Sequence, residues 1–207
     1  MPGQVTEAQP HTSTPRLAPE ERRELLIDAA LETFASRGYT QAGLAEVANL
    51  AGVSKTLLYH YFPDGRPELY REVMDRLLDQ LVDAVRGAAR APTSTERRLE
   101  GLVAAFLDWF EAHPDAYRLL ILEPWGSGDA GVVGQAVAVR ARLAGEIDQL
   151  VAPAGRPLAQ TLAGGAAALG ALLHVCELWM SGQLTKDDAR TSAHRFVHAG
   201  LGALGLV

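Results

Sequence analysis

The sequence has one cysteine, Cys176, in 207 residues. One thiol can build neither an intrachain disulfide framework nor a multi-cysteine metal site, which fits a reducing compartment. Positive charge is also scarce. There are 19 Lys and Arg against 25 Asp and Glu, and only two of the cations are lysines. Residues 1–66 carry net −2 and residues 67–207 net −4. A broad basic field is therefore excluded, and any nucleic-acid contact has to come from a small local patch. No signal-like apolar run opens the chain. The most apolar stretch, Leu162 to Leu173, is short for a bilayer and runs into His174 and Glu177. The expectation is a cytoplasmic protein without a membrane partner.

Catalytic motifs are missing as well. No GxSxG, GxxxxGK[ST] or HExxH occurs. Gly126-Ser127-Gly128-Asp129-Ala130-Gly131 has the GxGxxG spacing, but dinucleotide binding needs a preceding strand and further βα units, and no other strand is evident. A loop is expected there. His194 and His198 stand one helical turn apart without a third ligand nearby in sequence, so no metal site is assigned. The expectation is no enzyme, no cofactor and no metal.

Apolar residues are plentiful at 48%, enough for a buried core. Helical periodicity runs through nearly the whole chain. The stretch that organises it is LAEVANLAGVSKTLLYHYF, Leu44 to Phe62. Val47, Leu50 and Ala51 recur at helical spacing and are expected to face inward. Ala48 allows a close helix crossing, Gly52 supplies an unusual backbone angle, and Ser54 can cap a second helix. Leu57, Leu58 and Tyr61 would hold that helix to the core, leaving Lys55, Thr56, Tyr59 and His60 on or beside its outer face. Between Val53 and Phe62 there is no acidic residue. The layout is that of a helix-turn-helix whose second helix enters the major groove.

Residues 20 to 75, with Gly38-Tyr39, Val47-Ala48, Ala51 to Lys55 and Leu58 to Pro63, resemble the DNA-binding domain of the TetR family of bacterial regulators. The resemblance implies DNA contacts at Ser54, Lys55, Thr56, Tyr59, His60 and Tyr61. Two departures stand out. Where the family has paired hydroxyl residues at the start of the second helix, this chain has Ala42 and Gly43, with Thr40 as the nearest hydroxyl. The family's lysine after the Phe is replaced by a turn one residue longer, with Arg66 the nearest cation. These departures, with the acidic head, leave a second reading open: a helical ligand-binding or interaction module whose helix-turn-helix has lost specific DNA binding.

The expected fold is all-α with about nine helices: a tail at 1–17, a helix-turn-helix domain at 18–66, and a ligand-binding and dimerisation domain at 67–207. Helix one should start at Pro19 and end at Gly38, with Ile27, Ala30, Leu31 and Phe34 as its core stripe. A long helix from Pro67 to about Ala91 repeats Leu69, Val73, Leu77, Leu81 and Val85. Thr93 with Glu96 predicts a capping box for the next helix. A loop is expected from Pro124 to Asp129, a break at 152–155, a helix over 157–181, and a last helix from Thr185 with Asp188 three residues on.

The last two helices are rich in glycine, which costs about 1 kcal/mol per helical residue relative to alanine. Close approach of another helix is the expected reason, either within one chain or across a twofold axis in a homodimer. The resemblance implies the dimer. Phe106, Trp109, Phe110, Tyr117, Trp125, His174, Glu177 and Met180 are the candidates for lining a small-molecule pocket, with His174 and Glu177 as its polar groups. The functional expectation is a repressor released from a near-palindromic double-stranded operator by a small-molecule effector.

Overall fold

The computed structural model describes residues 18–90, 94–151 and 158–203. Among them are nine helical runs and no strand. These are α1 (Pro19–Gln41), α2 (Leu44–Leu50), α3 (Lys55–Tyr61), α4 (Arg66–Ala89), α5 (Thr95–Ala112), α6 (residues 114–126), α7 (Ala130–Val151), α8 (Leu158–Met180) and α9 (Lys186–Ala203). The expected tail at 1–17, the Thr93 cap, the break at 152–155 and the last residues of the final helix lie outside the described residues.

The apolar stripes determine the packing. In α1, Ile27, Ala30 and Phe34 are buried and Leu31 packs beside them. In α4, Leu69, Val73, Leu77, Leu81 and Val85 are all buried, at 0–2% exposure. That face of α4 meets α1, α5 and α7; α7 then packs on α8, α8 on α9, and α9 back on α5. One continuous apolar core joins the two ends of the molecule. Cys176 lies within it, wholly buried, and burial pushes its thiol up to about 12.

Local chemistry fixes the ends. The Leu57 amide donates to Ser54 Oγ at 3.2 Å. The Asp188 amide donates to Thr185 Oγ1 at 3.1 Å, whose hydroxyl donates to Asp188 Oδ2 at 2.7 Å. The start of α5 differs from expectation: Ser94 is the N-cap and accepts from the Arg97 amide at 3.4 Å. Leu50, expected inside, is 49% exposed. It is the last residue of a two-turn helix, too short for the second turn to follow the stripe inward.

The loop expected from Pro124 to Asp129 begins instead as helix, through Gly126. In α6, Pro114–Tyr117 leads into a π-helical turn, Arg118–Leu122, and then into Glu123–Gly126. The Glu123 amide donates to the Arg118 carbonyl, five residues back. Pro124 follows directly and offers no amide of its own; the widened turn accommodates its ring, which would crowd a normal α-helical carbonyl.

The glycines of the last helices divide into two groups. A Cβ on Gly165 would overlap the Ala144 carbonyl oxygen, so this glycine serves the α7–α8 crossing within the chain. Gly170 and Gly200 have nothing within 4 Å. Gly170 lies in α8 and Gly200 in α9; α8 holds an 18-residue window, Ala163–Met180, of mean hydropathy 1.3, 39% buried. By length and composition alone it would cross a bilayer; one side of it packs on α7 and α9.

Asp75 on α4 tests the electrostatics. The Gln135 side-chain amide donates to its Oδ1 at 2.6 Å. Burial, then Glu72 and Asp79, holds its carboxyl above the usual range. A carboxylate with a raised folded pKa weighs against the fold while ionised, and the penalty fades as pH falls through that raised value. Asp75→Asn keeps the oxygen that Gln135 needs. Solvent screening at this half-open position limits the expected gain at pH 7 to about 0.5 kcal/mol. Urea unfolding at pH 7 and again near pH 4 should show the gain only at the higher pH.

Candidate nucleic-acid interface and effector groove

The elbow between α2 and α3 is closed by backbone bonds, Gly52 N to Asn49 O at 3.1 Å and Val53 N to Ala48 O at 2.9 Å. Gly52 takes φ +65° there, a region open to glycine. Leu58 and Phe62, both fully buried, seat α3 on the core. Lys55, Thr56, Tyr59 and His60 are exposed, and Tyr61 is half-buried against His60, ring centroids 5.6 Å apart. Lys55 Nζ lies 5.9 Å from the Tyr59 ring centre. Sequence spacing thus brings one cation, two hydroxyls, an imidazole and two phenols to one projecting end, which can meet phosphates and base edges.

The flanking candidates are placed differently. Thr40 is exposed, and its carbonyl accepts from Arg66 Nη1 at 3.1 Å. Arg66 lies over the Tyr39 ring, centre 5.9 Å away, with its Nε buried and unpartnered among the described residues. It is drawn inward as a brace between the start of α4 and the end of α1. Gly43 is the N-cap of α2 and gives no side-chain cap; its carbonyl accepts from the Glu46 amide at 3.0 Å.

Behind this head, α6 is tied to the end of α1. Gly38 takes φ +76° and leaves room for Glu123 against its Cα. Glu123 accepts from the Tyr39 amide at 2.9 Å and pairs with Arg118 at 2.9 Å. Arg118 also donates to the Ala35 carbonyl. The Tyr39 hydroxyl donates to Asp129 Oδ2 at 2.7 Å. Burial and that bond push the Tyr39 phenol up to about 12, while the same bond, chief among several, holds the Asp129 carboxyl low. Asp129 Oδ1 accepts from the Gly131 and Val132 amides, at 2.9 and 3.2 Å. The GxGxxG stretch is therefore a helix-capping turn that grips α1.

The eight pocket candidates separate. Phe106 and Phe110 are wholly buried and Trp109 nearly so, in an edge-to-face chain that continues to Tyr117. They are core, because the α5 stripe that carries them faces inward. Met180, 36% exposed, sits at the end of α8, outside the groove lining. Tyr117, Trp125, His174 and Glu177 do come together, lining an open groove of about 290 Å³ with Ile121, Leu122, Leu173, Gly170 and Arg140. His174 and Glu177, expected as the polar groups of a pocket, have side chains 70% and 56% exposed, 3.5 Å apart. Arg140 was missed. The available signal was its position on the inward stripe of α7, one turn from buried Ala136 and Ala144.

His194 and His198 have ring centroids 5.9 Å apart. Among the described residues no group of three or more potential ligands could hold a metal.

Residues 26–73 match the family described as bacterial regulatory proteins, tetR family. The chain is 46% identical over 105 residues to the HTH-type transcriptional activator FasR of Mycolicibacterium smegmatis, covering 51% of this chain and 48% of that protein. It is 38% identical over 108 residues to the HTH-type transcriptional regulator BetI of Cronobacter sakazakii, covering 51% and 52%. The chain thus spans about half the length of the curated relatives it matches. In structure it resembles a tetR-family transcriptional regulator from Streptomyces coelicolor, with TM-score 0.73 and 24% identity over 91% of this chain and 84% of that one. These relatives are regulators, not enzymes.

Proposed function

We propose that this chain, which belongs to the TetR family of bacterial regulatory proteins, is a cytoplasmic, homodimeric DNA-binding repressor released by a small-molecule effector. Residues 18–66 would form the DNA-binding head and residues 67–207 the effector-binding and dimerisation body. The observation that carries the reading is the acid-free, exposed end of α3, set on the Gly52 elbow and capped by Ser54. Ser54, Lys55, Thr56, Tyr59, His60 and Tyr61 are its proposed contacts, with Thr40, Gly43 and Arg66 at its margin. Two such helices about 34 Å apart would read a near-palindromic site.

Mobility shifts with promoter DNA from beside the chain's own gene test this. Lys55→Ala should weaken binding on every sequence and lower the salt slope by about one. Wild-type behaviour of that variant on all DNA would remove α3 as the recognition element.

The effector reading rests on the groove lined by Tyr117, Trp125, His174 and Glu177. Tyr117 and Trp125 belong to the same α6 that carries Arg118 and Glu123, which hold the end of α1. A ligand that displaced α6 would move the head directly, besides any tilt of α4. A switch from nearly full to nearly empty operator needs about 5 kcal/mol of differential affinity.

The dimer reading rests on the open sides of α8 and α9, where Gly170 and Gly200 have no neighbour and Phe196 is 65% exposed. Gly200→Leu should raise monomer stability by up to about 1 kcal/mol, the helix-propensity gain over glycine, yet shift the protein to monomer in analytical ultracentrifugation. An unchanged dimer would place the interface elsewhere.

A second reading of the regulatory sign comes from FasR, which is named an activator. Reporter transcription with and without the gene separates the two. Gly43 at the α2 cap and the inward brace of Arg66 favour a third, in which specific DNA binding has been lost. Failure to retain any promoter DNA at low salt would support it.

A further inference from the structure

We infer that the groove between α6, α7 and α8 takes an anion with an apolar body, a carboxylate, and that Arg140 is its anchor; this rests on the reading of that groove as the effector site. Arg140 enters the groove wall from the inward stripe of α7, between buried Ala136 and Ala144. Its Nε is buried with no hydrogen-bond partner among the described residues. Its Nη2 reaches the Ile121 carbonyl only at 3.5 Å, the outer limit of a hydrogen bond. A guanidinium has five donors; the groove's carboxylate, Glu177, lies 3.5 Å from His174 and makes no ion pair with Arg140 among the described residues, so this partly buried cation calls for a counter-charge.

The rest of the groove describes the ligand. The Arg140 guanidinium carbon lies over the Trp125 ring, 4.9 Å from its centroid, a contact that restrains the side chain at the groove wall, and a guanidinium fork suits a bidentate acceptor. The Tyr117 hydroxyl, whose present acceptor is the Leu173 carbonyl at 3.4 Å, is a second donor available to the same head group. Leu122 and Trp125, 49% and 48% exposed, give the apolar wall along which a hydrocarbon body would lie. A quaternary ammonium ligand would need the Trp125 face that Arg140 already covers.

Titration calorimetry on the full-length protein with sodium octanoate, 1-octanol and octyltrimethylammonium tests the assignment. Octanoate should bind at least tenfold more tightly than the other two. Arg140→Gln should weaken octanoate by about tenfold or more, with Arg140→Lys intermediate, and leave the other probes unchanged. Trp125→Ala should weaken octanoate as well. Circular dichroism and thermal melts confirm that each variant folds. Octanoate binding that is indifferent to Arg140→Gln, or ammonium binding as tight as octanoate, overturns the anion assignment. If the alcohol or ammonium binds and Trp125→Ala abolishes it, the groove survives as a ligand site and only the anion falls. If no probe binds, the anion assignment and the groove reading both fall.

Discussion

Phe34→Ala should lower unfolding free energy by about 3–5 kcal/mol, the range for emptying a fully buried aromatic site. Phe34 is 0% exposed and meets the edge of Tyr70 at 5.0 Å; Tyr70 in turn packs on Tyr39 at 4.8 Å. These rings come from the middle and end of α1 and the start of α4. Neighbouring groups limit collapse into the cavity. The Tyr70 hydroxyl is fixed to the Leu119 carbonyl at 2.7 Å, and the Tyr39 hydroxyl to Asp129. Denaturant unfolding monitored by circular dichroism measures the loss. A change under 1 kcal/mol would mean that the cluster is not the junction described.

Glu123→Ala should cost about 2–3 kcal/mol, because it strands the Tyr39 amide and removes the nearer of the two carboxylates paired with Arg118. The carboxylate is mostly covered, with its side chain 17% exposed. Glu123→Gln keeps an oxygen for the Tyr39 amide but loses the charge, and should cost about half as much. Amide hydrogen exchange gives a local reading: protection at Tyr39 should fall in the alanine variant more than in the glutamine one. Equal protection in both would mean that the amide has another acceptor. If the effector acts through α6, the alanine variant should also respond more weakly to it, since the tie from α6 to α1 is cut.

The parts legible in the sequence were those governed by nearest neighbours along the chain. The α1 and α4 stripes, the Ser54 cap, the Gly52 elbow and the Thr185–Asp188 cap depend on spacings of three or four residues, and the structure has them. What was illegible depends on contacts between distant segments. Nothing local marks Phe106 and Phe110 as core rather than pocket, since an apolar stripe reads the same in either place. Arg140 could be found only by asking why a cation interrupts an inward face. Ser94 and Thr93 are adjacent capping candidates that propensity does not separate. The π-turn before Pro124 and the Glu123 tie join residues more than eighty positions apart in sequence to Gly38 and Tyr39, and no periodicity announces them. The glycines of α8 show both limits: composition identified close approach, but only packing assigns Gly165 to α7 and leaves Gly170 open.

The deep placement of Cys176 has a consequence for physiology. With burial holding its thiol well above the usual range, the reactive thiolate is scarce at pH 7. Peroxide and glutathione disulfide should leave this side chain untouched, making the protein deaf to oxidative stress through its only sulfhydryl. Its message would then come through occupancy of a groove rather than through the redox state of the cell.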